Sequence, residues 1–143
     1  MNIGKIACVS PLLFLASCAS VNQDNMQYAP DYPVNKVRAS KDCYDASIIL
    51  NKSLLETKKI VLDVTKNLDA QTIKDTEEQY IIKRKHHIGL VVGSGGETIS
   101  FTFKKLKDNK TFITIDTKRD FVGIAGQKAW SCDIANHLMN KIK

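Results

Sequence analysis

The chain has 143 residues, of which 25% are charged, and a formal net charge of +6 at pH 7. This length is enough for one domain and a tether, and no internal repeat or second domain is apparent. No apolar run after the first residues is long enough for a helix to cross a bilayer, so no transmembrane helix is expected there. The basic excess, mostly lysine, favours contact with phosphate groups, acidic polymers or acidic proteins.

The amino-terminal segment has the layout of an export signal. A short basic start with Lys5 precedes an apolar run over residues 6–16, about the length of a signal-peptide core and too short to span a membrane. Leu15-Ala16-Ser17-Cys18 follows at the expected depth and resembles the lipobox of bacterial lipoproteins. An ordinary secretory signal with a coincidental cysteine is the alternative interpretation.

The lipobox resemblance implies a covalent lipid on Cys18 and cleavage after Ser17. Ala19 and Ser20 follow the cysteine, and neither is the aspartate that retains enteric-type lipoproteins in the inner membrane. The expected location is therefore the outer membrane, facing the periplasm, with the inner membrane as the less favoured site. Acyl chains anchor stably because each buried CH₂ contributes about 0.8 kcal/mol.

Three segments follow from these assignments: a signal peptide over 1–17, a lipidated cysteine with a flexible tether over 18–41, and a globular domain over 42–143. The tether is polar and carries Pro30 and Pro33 without a sustained apolar period. Tyr28 and Tyr32 could form a partner-binding motif, and the alternative is a linker without a binding role in which the two tyrosines are incidental. Residues 34–39 alternate weakly and could add an edge strand.

Apolar periodicity predicts the elements of the domain. A long helix is expected from a cap at Asp45 or Ser47 to about Lys66, and a final helix over 127–142. Strands are expected over 71–74, 80–86, 97–106 and 111–118, with Asp108-Asn109 turning between the last two. The predicted fold is α+β: an antiparallel meander of about four strands, and a possible fifth at the edge, packed on one face by both helices.

This layout is similar to that of a group of short, uncharacterised proteobacterial lipoproteins. The resemblance is carried by the Cys43-Tyr44-Asp45-Ala46-Ser47 segment and by the stretch over 121–130, which opens the last helix. It implies a strand, helix, meander and helix in that order. Its motifs are structural, so it implies no mechanism.

The four cysteines divide in a way that agrees with export. Cys8 leaves with the signal and Cys18 takes the lipid, so Cys43 and Cys132 remain as a candidate disulfide in an oxidising compartment. Two separately buried thiols are the alternative. No Cys-x-x-Cys motif exists to suggest redox catalysis.

Basic residues on the meander form the candidate binding surface, which would contact an anion or a partner. Its members are Lys83, Lys85, Lys104, Lys118 and Arg119. A merely solvated polar face is the default for one side of an antiparallel sheet. The glycine-rich stretch over 89–96 lacks the ending of a phosphate-binding loop and precedes a strand, so it is predicted to be a hairpin loop.

Catalytic and metal-binding arrangements are not recognisable in the sequence. His86 and His87 would point to opposite faces of a strand, and His137 has no partner at ligand spacing. No nucleophile, acid and base occur together in a familiar pattern, so no enzyme activity, cofactor or metal is expected. The expected role is that of a non-catalytic module that binds a protein or polymer of the envelope, with no nucleic-acid partner. A carrier of a small apolar ligand or lipid, held between helices and sheet, is the alternative.

Overall fold

The computed structural model describes residues 32–86, 95–120 and 127–143. The predicted signal peptide, Cys18, most of the tether and most of the glycine-rich stretch lie outside these ranges. The class is α+β, as predicted, with six strands and two helices among the described residues. In chain order they are β1 (Val37–Ala39), β2 (Asp45–Leu50), α1 (Leu54–Thr65), β3 (Ala70–Asp75), β4 (Gln79–Arg84), β5 (Thr98–Lys105), β6 (Thr111–Lys118) and α2 (Ser131–Lys141).

All six strands form one antiparallel sheet in the order β1-β2-β6-β5-β4-β3. Strands β3 to β6 are the predicted meander, in which each strand pairs with the next along the chain. Strand β2 pairs with β6 instead, so α1 carries the chain from one side of the sheet to its far edge. The β5–β6 turn is at Asp108 and Asn109, as predicted, with φ angles of 57° and 56°, which a tight hairpin turn requires.

The predicted helix from Asp45 or Ser47 is wrong in its first third. Residues 45–50 form strand β2, and the helix begins only at Leu54. The run Ile48, Ile49 and Leu50 is buried on both faces of the sheet, and a strand covered on both faces has no polar alternation to mark it. This strand, together with β1, brings the sheet to six strands where about four, or five with an edge strand, were predicted.

The true start of α1 carries a capping box. The backbone N–H of Glu56 donates to the Ser53 hydroxyl over 3.3 Å, and the N–H of Ser53 donates to the Glu56 carboxylate over 3.0 Å. The Ser53 hydroxyl also donates to that carboxylate, and these contacts lower the pKa of Glu56. Two of the free N–H groups of the first turn are thereby satisfied, which fixes the helix boundary at this serine.

Both helices pack on one face of the sheet. Alternate residues of the four inner strands point to this face, and fully buried Val61, Ile134 and Leu138 cover them from the helices. Helix α2 contacts β1, β2 and β6, while α1 lies beside α2 and over β5. The sheet members of this core are Ala46, Ile48, Leu50, Tyr80, Ile82, Ile99, Phe101, Phe103, Ile113 and Ile115.

A disulfide joins Cys43 to Cys132, with 5.3 Å between the Cα atoms, within the usual range for such bonds. Cys43 was expected at the start of the first helix, but it lies in the β1–β2 turn with a φ of 61°. The bond therefore ties that turn to the first turn of α2. It spans 89 positions of sequence, for which the chain-entropy model gives about 4.5 kcal/mol of stabilisation.

Two buried threonines of α1 give a matched test of this packing. The hydroxyl of Thr57 has no hydrogen-bond partner among the described residues, whereas that of Thr65 donates to the Val61 carbonyl over 2.9 Å. Thr57→Val should therefore raise the free energy of unfolding by about 1 kcal/mol, because a methyl group of similar shape replaces a buried hydroxyl that has no hydrogen-bond partner. Thr65→Val should lower it by a similar amount. Urea denaturation of both variants measures these changes. If the two substitutions change the free energy of unfolding in the same direction, the difference in hydrogen bonding between the two hydroxyls is contradicted.

Candidate functional site

Neither described helix covers the face of the sheet opposite the helices, here called the open face. Its side chains come from alternate positions of β2, β6, β5 and β4, so they are the neighbours of core residues along each strand. Cross-strand register sets them in rows, such as Lys83, Thr98 and Lys118 at one end. The next row holds Ile81, Ser100, Asp116 and Asp45.

A hollow of about 620 Å³ lies on the open face. Its lining side chains are mostly hydroxyl, amide or charged groups: Gln79, Ile81, Ser100, Thr102, Thr114, Asp116 and Lys118. The hydroxyls of Ser100, Thr102 and Thr114 show no hydrogen bond to any described residue, so their bonding capacity faces outward. Such a surface can bind a polar partner, because each hydroxyl can both donate and accept.

Two carboxylates lie side by side on this face. Asp45 and Asp116 are direct partners across β2 and β6, where like charges oppose pairing. Partial burial raises the pKa of Asp116, and the neighbouring Asp45 raises it further, against the opposing influence of Lys118. The fold therefore holds Asp116 in a less favourable environment than water provides.

Tyr32, which the sequence placed in the tether, packs on the end of the open face. Its ring meets Phe112 edge-on at 5.5 Å between centroids, and its hydroxyl donates to the Ser47 carbonyl over 2.8 Å. The Arg38 guanidinium lies 4.5 Å from the ring centroid. Tyr32, Ile49 and Phe112 form a small second core on this face. Tyr32 therefore contacts strand residues of the sheet, although it falls within the predicted tether of residues 18–41.

The structure separates the five predicted basic residues. Lys83, Lys104 and Lys118 lie on the open face, but Lys104 is six positions along β5 from the row of the other two, about 20 Å away. Lys83 bonds Asp120 over 2.8 Å, and Lys85 bonds Asp69 over 3.0 Å. Arg119 lies 4.6 Å from the centroid of the Tyr44 ring. These residues do not form one cluster, and an anion-binding role for them stays a prediction.

A buried polar cluster around Glu97 was missed in the sequence. Glu97 has no exposed surface, and its carboxylate lies 3.5 Å from the Arg84 guanidinium. The backbone N–H of Lys128 donates to it over 2.9 Å and the indole N–H of Trp130 over 3.4 Å. Because a buried carboxylate requires such partners, this cluster fastens the ends of β4 and β5 to the start of α2.

Trp130 is half-buried beside this cluster and packs against the main core. The Arg84 guanidinium lies 4.5 Å and the Lys128 ammonium 4.8 Å from its ring. Its backbone N–H donates to the Thr117 hydroxyl over 3.2 Å. The same Thr117 hydroxyl lies 2.9 Å from that of Ser131. Strand β6 therefore supplies the polar contact that α2 lacks at its own first turn.

A second hollow, of about 520 Å³, lies between the carboxyl-terminal halves of α1 and α2. Asp63 at its rim accepts hydrogen bonds from Lys66 over 2.5 Å and from Lys141 over 2.6 Å. The Lys141 bond and then the Lys66 bond lower the pKa of Asp63 to about 2. His137, for which no role was expected, also borders this hollow.

The space between helices and sheet, where a carrier would hold its ligand, is occupied by side chains. Val61, Ala135 and Leu138 are fully buried there against Ile113 and Phe101. Both hollows lie outside this layer. Within the described ranges, no group of three potential metal-ligating side chains converges. Neither α1 nor α2 has the length and apolar character needed to traverse a bilayer.

No protein-family model matches the chain, and no curated protein matches it significantly. The resemblance to short lipoproteins therefore stays a prediction from the sequence.

The paired carboxylates of the open face predict a pH-dependent stability. The pKa of Asp116 in the folded state is raised above its ordinary value of 3.8. At pH values between 3.8 and the raised pKa, the unfolded state therefore binds fewer protons than the folded state. Asp116 thus lowers stability at neutral pH, and that loss disappears as pH falls through the raised pKa. Asp116→Asn should raise Tm at pH 7 and leave it nearly unchanged at pH 3. An equal gain at both values would contradict the electrostatic cause.

Proposed function

We propose that this chain is an exported lipoprotein, anchored through Cys18 to the periplasmic side of the outer membrane, whose domain binds another envelope component without catalysis. One observation carries the proposal: the Cys43–Cys132 disulfide. Such bonds persist in oxidising compartments and are rare where thiols are kept reduced. The disulfide therefore supports the export signal by a route independent of the lipobox.

The open face is the surface proposed to bind the partner. Its hollow presents hydroxyls, an amide, a carboxylate and an ammonium group, which suits a polar protein or wall polymer. The open face also places the carboxylates of Asp45 and Asp116 side by side, an arrangement that opposes folding. Locally unfavourable choices of this kind are expected at functional surfaces.

The position of Tyr32, where the predicted tether reaches the sheet, supports the open face as the binding surface. Tyr32 packs on the open face, and about 14 residues separate it from Cys18, which span at most about 50 Å. An anchor at Cys18 would therefore lead directly to the open face and hold it close to the membrane. The filled layer between helices and sheet favours this role over a carrier with an internal ligand.

Replacing the lipidated cysteine tests the anchor. Cys18→Ala should release the protein from envelope membranes, because most large apolar side chains of the described strands and helices are buried in the core. Cys8→Ala, in the same signal segment, is the matched control and should leave the protein in the membrane fraction. Immunoblots of fractionated cells measure both, and a Cys18→Ala protein that sediments with outer membranes after a high-salt wash would refute the anchor.

A photo-crosslinking amino acid tests the binding face. Placed at Thr102, an exposed position in the hollow of the open face, it should yield one discrete adduct in intact cells. Placed at Asn136, an exposed position on α2, it should yield none, since the helix side is not the proposed contact. Equal adducts from both positions, or adducts from Asn136 alone, would contradict the assignment.

A further inference from the structure

The hollow between α1 and α2 has the form of a small-molecule site. It measures about 520 Å³, within the range of roughly 300–1,000 Å³ that is usual for ligand pockets. The residues around it are Asp63, Val64, Lys66, Asn67, Leu68, His137, Asn140 and Lys141. All come from the last turns of the two helices and the segment that follows α1, so rigid elements form most of its wall.

The floor of this hollow is apolar. Val64 and Leu68 are half-buried and pack against the main core from their inner sides, which leaves their outer sides to the hollow. Most of the hollow's surface is carbon, because the methylene stems of Lys66 and Lys141 add to that of the two aliphatic side chains. A floor of this kind favours a hydrocarbon group over water.

The rim of the hollow is polar and carries an excess of one positive charge. Two ammonium groups, from Lys66 and Lys141, share the single carboxylate of Asp63. Both lysine side chains are more than half exposed, at 63% and 56%, so they can turn from Asp63 toward a bound group. Asn67, Asn140 and His137 add further hydrogen-bonding groups.

We propose that this hollow binds a small amphiphile, a medium-length acyl chain with one carboxylate head. The chain would lie on Val64 and Leu68, and the head would be held by Lys66 and Lys141. A single negative charge balances the excess on the rim, whereas a cationic head would add to it. The proposal stands on the helix pair alone, and it does not depend on the lipid anchor or on the open face.

Three probes of the whole chain carrying Cys18→Ser separate the two parts of the proposed ligand. Decanoate carries chain and carboxylate, decanol carries the chain alone, and acetate carries the carboxylate alone. Decanoate should bind saturably, with NMR shift changes centred on Val64, Leu68 and His137. Decanol should bind at the same residues at least about fivefold more weakly, and acetate should cause no saturable change, because exposed ion pairs alone are weak.

Variants separate this hollow from adventitious binding elsewhere. Asn140→Trp, at an exposed rim position, should fill the hollow and abolish decanoate binding without touching the core. Lys66→Gln with Lys141→Gln should weaken decanoate at least about fivefold and leave decanol unchanged. Lys59→Gln with Lys143→Gln removes the same charge from exposed positions outside the hollow and should change neither affinity.

Three results would overturn the proposal. The first is no saturable binding of decanoate by a folded protein. The second is shift changes centred on other residues, and the third is decanoate binding that survives Asn140→Trp. A thermal melt of each variant establishes that it is folded before titration. The titrations probe only the hollow between α1 and α2, and they use protein without a lipid anchor. Their failure would therefore not contradict the proposed lipid anchor or the proposed binding role of the open face.

Discussion

The structure depends on the burial of one face of its sheet beneath two helices. Six strands at about 4.8 Å spacing span about 24 Å between the outer strands, whereas two adjacent helices of about 10 Å each cover roughly 20 Å. Helices α1 and α2 therefore reach across the central strands, where side chains are fully buried, and β3 at the edge stays mostly exposed. The helices bury only one face, so the opposite face is left to polar side chains, to the small core of Tyr32, Ile49 and Phe112, and to any partner.

Cross-links between distant parts of the chain fix this layer in place. The disulfide ties the β1–β2 turn to α2, and the buried Glu97 joins Arg84 at the end of β4 to the residues that precede α2. Strand β6 adds its Thr117 hydroxyl beneath the same helix start. Helix α2 lacks a side-chain cap of its own, so its position depends on tertiary contacts more than on its sequence.

The two hollows differ in chemistry because they arise from different surfaces. The hollow of the open face is lined by the outward side chains of strands, which alternate with core residues and are therefore polar. The hollow between α1 and α2 lies at the carboxyl-terminal ends of the helices, where Val64 and Leu68 flank the apolar side of α1. A polar macromolecule suits the first surface and an amphiphile the second.

The sequence by itself determined the meander, the β5–β6 turn and the last helix, because alternation, turn residues and helical spacing are local signals. It also indicated the Cys43 and Cys132 pair, since composition left only these two cysteines in the domain. Strand β2 was mistaken for helix because burial on both faces removes the alternation that marks a strand. The capping box at Ser53 and Glu56 was the local signal that could have corrected this.

Only the tertiary structure decided which distant residues meet. The pairing of β2 with β6 places Asp45 against Asp116, and the seating of α2 brings Trp130 to Glu97. The basic residues looked continuous along the chain, but strand direction and register spread them over the open face and beyond it. Such juxtapositions depend on strand order and helix docking, which no local pattern of residues encodes.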